Sequence, residues 1–496
     1  MNMQERIRKH TFEIVVFSAI LLFGLIWTFL VPPFQKADES THYFRAASVS
    51  RGELTCSMGD VEEAFEIRER HFQFAEATDL NRIAFKYQEK ADVQKILKAD
   101  RNVDDDNPNT ILWDYGCNLS FIPYLIFALP LLIGGLFDSL LLGFFLSRLV
   151  AFLLFFIAII WSFRKTRNSK FKWVIVFYAL TPMILHQASA IGYDYLTLAI
   201  IPIIFALSID FMLKEKISNK EIFLYCILLI LLSLAKPGYY FLSLVYFLIP
   251  SKKISENKYK YLLFTIIFFA TYIIVNILMQ NLFFSSLSEL NNTDLVIEKI
   301  KEPGVLFDLI NNTIKLRLDF YVESFIGRFG WLDYSFSPLF KYLYIGLFYY
   351  LAYYIASEKI FKKYLKIIIL LSTMLLLSFG IIFGGFYLVN FRGDNSQVVG
   401  VQGRYFLVFF PFIFLLMGAI IRAFKESKVF RIIVIGALFL YMLYQLCFSI
   451  YSRYYEKVEI TSFSSINSME VISMELRYQK CLIQKSGERV FNDSKE

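Results

Sequence analysis

Histidine and cysteine are scarce, four and five in 496 residues. No CxxC pair and no His-rich run occurs. Neither a zinc ribbon nor a dithiol redox centre is therefore written into the chain. Charge is thin as well: 19% of residues are charged and 57% hydrophobic, with a mean hydropathy of +0.51. A water-soluble domain carries more charge than this. The alternation of a membrane β-barrel is missing, and no internal repeat is visible.

Apolar runs of about 20 residues recur instead, each long enough for a bilayer core of roughly 30 Å. The fold class that follows is all-α, a polytopic integral membrane protein. Spans are predicted near 11–31, 141–163, 171–190, 194–213, 221–235, 238–250, 259–284, 339–356, 365–391, 405–423 and 430–451. The first run follows Arg6, Arg8 and Lys9 and has no small-residue cleavage site, so it reads as a retained span.

The net charge of +8 does not indicate a nucleic-acid partner, because the cations gather in short links between spans. The links 164–172, 214–220, 251–260, 358–366 and 422–431 are Lys/Arg-rich and should face the cytoplasm. All can do so only if 119–137, which contains Pro123 and Pro130, is not a full span. It is expected to re-enter or to lie along the interface. The result is about eleven transmembrane helices in one domain, 1–451, with the N-terminus in. Two large loops, 32–118 and 285–338, a link at 392–404 and the tail 452–496 then face out. Cys56 and Cys117 share the first loop and can bridge if it meets an oxidising compartment. The segment 60–90 reads as an amphipathic helix.

Chemistry is expected at the outer face. Asp38 and Glu39 follow the first span by a few residues. Pro32 and Pro33 predict an extended exit, and 37–54 reads as a helix start. On that helix Asp38, His42 and Arg45 share one face at i, i+4 and i+7. A carboxylate at the lipid–water boundary is partly desolvated, which raises its pKa and suits a general base. The competing reading is a helix cap. Asp104, Asp105 and Asp106 could hold a divalent cation through oxygen, although they lack a calcium-loop pattern and also fit a solvated turn.

The stretch "PPFQKADESTHYFRAASVSRGEL" (32–54) carries Pro-Pro, Asp-Glu, His-aromatic-x-Arg-Ala and Gly in order. "HQASAIGYDYLTLAI" (186–200), "LAKPGYYFLSLVYFLIP" (234–250), "IGRFGWLDYSFSP" (326–338) and "VQGRYFLVFFP" (401–411) follow it. Together they resemble a bacterial membrane-protein family, domain of unknown function 2142. Gly192-Tyr193 stands where that family usually has a polar pair. Such proteins resemble in turn the GT-C superfamily of glycosyltransferases, which have a large first external loop and use polyprenyl-phosphate sugars. The resemblance implies Asp38 as catalytic base with Glu39 as its helper or a second acceptor contact; on the shared helix face His42 or Arg45 would tune the base and orient a substrate hydroxyl.

A lipid-phosphate donor would need cations on the outer side. Lys236, Arg328, Arg392 and Arg404 are the candidates, Arg404 foremost because Gly403 leaves room for close approach. Tyr193 and Asp194, with His186, sit at a neighbouring outer turn. Trp331 and Asp333 could stack on and hold a sugar. The implied partners are a polyprenyl-phosphate sugar donor, a glycan acceptor, the lipid bilayer and cell-envelope biosynthesis proteins. No cofactor or metal is required by any motif. Two rival readings fit the same sequence: a lipid-linked glycan flippase, and a non-catalytic subunit of an envelope-assembly machine.

Overall fold

The computed structural model describes residues 3–58, 63–103, 109–113, 115–117, 119–236, 238–283, 304–358, 360, 364–390, 396–421 and 428–456. The architecture is overwhelmingly helical. Helices α1 (Met3–Phe29), α2 (Glu39–Ser50), α3 (Glu69–Ala77), α4 (Ala128–Leu136) and α5 (Leu140–Thr166) come first. Then follow α6 (Lys172–Ala179), α7 (Pro182–Ala188), α8 (Asp194–Leu213), α9 (Asn219–Ala235) and α10 (Lys258–Phe283). The last are α11 (Val305–Ile326), α12 (Pro338–Ile355), α13 (Tyr364–Asn390), α14 (Phe410–Ile420) and α15 (Lys428–Tyr454). Five described segments are long and apolar enough to cross a membrane: Leu140–Thr166, Asp194–Leu213, Lys258–Met279, Leu365–Leu388 and Gly403–Ile420.

The two ends of the bundle differ in chemistry. At one end the links 164–172, 214–220 and 251–260 meet acids and helix ends. Arg167 pairs with Glu13 at 2.7 Å, and Lys165 and Lys214 share Asp210 and Glu221. The Lys170 amide donates to Glu358 at 2.8 Å, and Lys253 caps the carbonyls of Phe211 and Met212 at 3.0 Å. The first loop, the 328–335 turn and the end of α15 meet at the other. There Lys90 Nζ donates to the Ser452 carbonyl at 2.7 Å, Tyr454 to the Gln35 carbonyl at 3.0 Å and Tyr455 to the Leu30 carbonyl at 2.8 Å.

Several elements depart from the sequence expectation. The run 171–190 is two helices, because Pro182 cannot continue α6 and instead starts α7 at its first turn. The run 238–250 forms a nine-residue 3₁₀ helix, Tyr240–Leu248, which rises roughly 18 Å. Segment 60–90 is not one helix. Strand β2 (Glu63–Arg68) joins β1 (Ser57–Met58) and β3 (Thr110–Trp113) in an antiparallel sheet, and α3 follows. A pair of two-residue strands, β4 (Arg328–Phe329) and β5 (Tyr334–Ser335), closes the later turn. Loop 285–338 contains the long helix α11. The three-Asp turn at 104–106 lies outside the described residues.

Residues 119–137 form a 3₁₀ segment (Ile122–Phe127) and the short α4. The α4 helix packs on α5 where Gly134 meets Gly143; a Cβ on Gly134 would lie 2.7 Å from the Gly143 Cα. Its opposite face exposes Leu129, Leu132 and Leu136. A Cys56–Cys117 disulfide staples the first loop. Beneath it lies a second apolar core, in which Phe34 meets the rings of Tyr43, Phe74 and Phe144.

Candidate functional site

The chain leaves α1 in a compact turn rather than the extended exit that Pro32-Pro33 suggests. Phe34 (φ 61°) and Asp38 (φ 64°) both take left-handed backbone. The Gln35 amide bonds back to Pro32 and the Glu39 amide to Lys36. The turn buries Phe34, Lys36 and Glu39 and leaves the Asp38 side chain 53% exposed. Asp38 occupies the N-cap position of α2 but makes no capping bond. The helix-cap alternative therefore does not describe it.

The Asp38 carboxylate pairs with Arg404. Arg404 comes from the 3₁₀ segment Gly403–Phe409 that leads into α14. Gly403 is needed there for packing against α11: a Cβ would lie 1.9 Å from the Tyr321 carbonyl oxygen, and the Gly403 amide donates to Ser324 Oγ at 2.7 Å. The close approach is thus to protein backbone. The Arg404 side chain is 4% exposed, and its Nε is buried without an acceptor.

Neighbouring elements complete a narrow cleft of about 10 Å³, room for a single water-sized group, lined by Asp38, His42, Gln187, Tyr193, Asp194 and Arg404 among others. Asp194 opens α8 and accepts from Lys236 Nζ at 2.9 Å. Lys236, at the end of α9, sits over the rings of Tyr193 (4.3 Å) and Tyr405 (4.6 Å). His42 Nδ1 lies 2.6 Å from the Tyr124 hydroxyl, and its ring meets Tyr193 edge-on at 4.8 Å. Gly192 makes room for that ring, since a Cβ would lie 3.2 Å from it.

Burial pushes the Asp38 carboxyl up, but Arg404, aided by His42 and Lys236, pulls harder, and its pKa lies below the usual 3.8. This reverses the direction expected from desolvation alone. Burial lowers His42 to about 4, so the imidazole is neutral at pH 7.

The chain belongs to a known family. Its model, described as predicted membrane protein (DUF2142), matches residues 21–416. No curated protein and no solved structure matches the chain. The DUF2142 match includes every cleft residue named above and stops before α15.

Of the residues singled out from this DUF2142 sequence, Asp38, His42, Tyr193, Asp194, Lys236 and Arg404 converge. Glu39 does not. It is wholly buried in a two-pronged pair with Arg148 of α5, whose guanidinium also donates to the carbonyls of Thr28, Val31 and Pro32. Arg45 turns away to Ser48 Oγ and the Glu53 and Leu54 carbonyls. Arg328 bonds the Leu332 carbonyl and Glu323. Trp331 donates to the Phe34 carbonyl at 3.0 Å and packs on Phe85. Asp333 pairs with Arg453 of α15, which also holds the Ile83 and Glu89 carbonyls. These last three fasten loops together and do not line the cleft. Arg392 lies outside the described residues.

Three residues escaped the sequence reading. Arg148 stands inside an apolar run, and a charge there is itself a signal. Lys36 is fully buried with Nζ 2.8 Å from Ser189 Oγ, and burial with Arg148 nearby pushes its ammonium well below 10.5. Tyr124 carried no signal beyond its place in 119–137. Among the described residues no cluster of three metal-ligating side chains occurs.

Proposed function

We propose that this DUF2142 chain is a membrane glycosyltransferase that moves a sugar from a polyprenyl-phosphate carrier to a hydroxyl of an envelope glycan. The reading rests on one observation. A half-exposed carboxylate, Asp38, and a buried arginine, Arg404, share a cleft at the end of the bundle opposite the cation-rich links. By the positive-inside rule that end faces outward. On this reading the chain crosses the membrane about eleven times, with the broken helix α6–α7 and the 3₁₀ segment 240–248 counted as one passage each.

In the reaction the acceptor oxygen attacks the anomeric carbon as its proton passes to Asp38. The bond from that carbon to the phosphate oxygen breaks, and its electron pair stays on the phosphate beside Arg404. A single displacement inverts the anomeric centre. Lys236, held by Asp194, adds positive potential at the rim, and neutral His42 offers a hydrogen bond without competing for the proton.

The test is turnover by purified protein in lipid nanodiscs, with radiolabelled polyprenyl-phosphate sugars and envelope glycan acceptors. Asp38→Asn should lose roughly 10²–10⁴-fold in rate with unchanged folding. Full activity in a well-folded Asp38→Asn protein would remove Asp38 from the base role. No turnover of any lipid-phosphate sugar by the wild type would remove the enzyme reading.

A further inference from the structure

We propose that the Asp38–Arg404 pair is a latch: a phosphate group entering the cleft takes the Arg404 guanidinium, and only the carboxylate so released serves as base. This rests on the sugar-transfer reading above and adds an order of events to it.

The pair has the asymmetry a latch needs. Arg404 is buried and fixed by the packing of its 3₁₀ segment on α11. A guanidinium carries five N–H donors, and here Nε has no acceptor. A buried, under-used donor set favours an exchange that satisfies more of it. Phosphate can do so, because it accepts two parallel N–H bonds. Asp38 is the exposed partner. Its side chain is half-exposed at the mouth and makes no capping bond. Its left-handed backbone is uncommon for a non-glycine residue and serves no cap, which points to a role for the side chain.

The other groups facing Asp38 cannot replace Arg404. Lys236 of α9 is engaged by Asp194 of α8 and two tyrosine rings. His42 of α2 is neutral and bonded to Tyr124. Tyr193 stays a protonated phenol because it is buried. Gln187 of α7 carries no charge. Once phosphate holds Arg404, Asp38 therefore loses its principal counter-ion, and its affinity for a proton rises. The acceptor is thus deprotonated only when a donor is seated. The transferred proton ends on Asp38, and the electron pair of the broken bond ends on the phosphate that opened the latch.

Binding separates this from the base assignment. Farnesyl phosphate and inorganic phosphate are titrated into wild-type, Asp38→Asn, Arg404→Lys and Arg404→Ala proteins of equal melting temperature. Asp38→Asn removes the competitor and should bind farnesyl phosphate at least about tenfold tighter, a gain typical of losing a competing charge contact. Arg404→Ala should lose binding, and Arg404→Lys should bind weakly and gain little from a second Asp38→Asn change. A gain with inorganic phosphate too means that any phosphate opens the latch; a gain with farnesyl phosphate alone means that it needs the lipid. Unchanged or weaker binding in Asp38→Asn overturns the latch, as does no binding to either protein. If Asp38→Asn binds tighter yet still transfers sugar, the exchange at Arg404 stands, but the base role and the order of events built on it fall. If it is inactive with unchanged affinity, the base role stands and the latch falls.

Discussion

Asp38 and Glu39 are adjacent acids with opposite lives, and substitution should separate them. Glu39→Gln leaves the wholly buried Arg148 without its counter-charge, which costs about 3–5 kcal/mol in such settings. Asp38→Asn also removes a counter-charge from a buried arginine, but from a half-exposed position that water can reach, and should cost less than Glu39→Gln. Thermal melting in detergent is the check, and equal losses would mean that both acids are structural. His42 and His71 set a pH dependence. Burial lowers them to about 4 and about 3 from 6.5. The unfolded chain therefore binds more protons than the native one below about pH 6.5. Stability from these residues is complete above that value and drains away as pH falls through about 4 toward about 3. Melting temperature should drop over this window, and less steeply in His42→Gln. The sequence alone led to Asp38, His42 and Arg404. It could not tell Glu39 from Asp38, because the partner that buries Glu39 is 109 residues distant.

Among the elements, the 3₁₀ turn at Gly403 governs the cleft from behind. Gly403→Ala would press a methyl group onto the Tyr321 carbonyl and the Phe325 amide, backbone atoms with no rotamer to yield. Helix α11 and the turn must part, and Arg404 moves with them. We expect lowered stability and loss of farnesyl-phosphate binding together, whereas Arg404→Lys keeps its melting temperature. Unaltered binding in Gly403→Ala would show that the turn tolerates displacement. Most long helices were legible from apolar runs. The sheet was not, although Phe65-Glu66-Ile67-Arg68 alternates buried and exposed as a strand does. The alternation is short and runs directly into the helical spacing of α3. The break at Pro182 was written in the sequence, but run length outweighed it. The two-residue strands β4 and β5 carry too few positions for any period to show.

Among the described residues, Lys165, Lys214 and Lys253 gather at one end of the bundle and the cleft lies toward the other. Orientation is open to direct measurement. In a background with Cys226, Cys447 and Cys481 changed to serine, Gln94→Cys and Lys216→Cys place exposed thiols at opposite ends. A membrane-impermeant maleimide should label intact cells at 94 and only opened cells at 216. The reverse pattern would turn the cleft inward and remove access to an outer-leaflet donor. What the sequence could not convey is how far apart in the chain the cleft's supports lie. Tyr454 holds the carbonyl of Gln35 across 419 residues, and Arg453 holds that of Ile83 across 370. During synthesis at about 5–20 residues per second, the exit turn of the first helix waits roughly 20–80 s for its last fastening to leave the ribosome. Through that interval Asp38 already stands beyond the first helix while Arg404 and α15 are still unmade, so the protein is born without a cleft and acquires one only late in its synthesis.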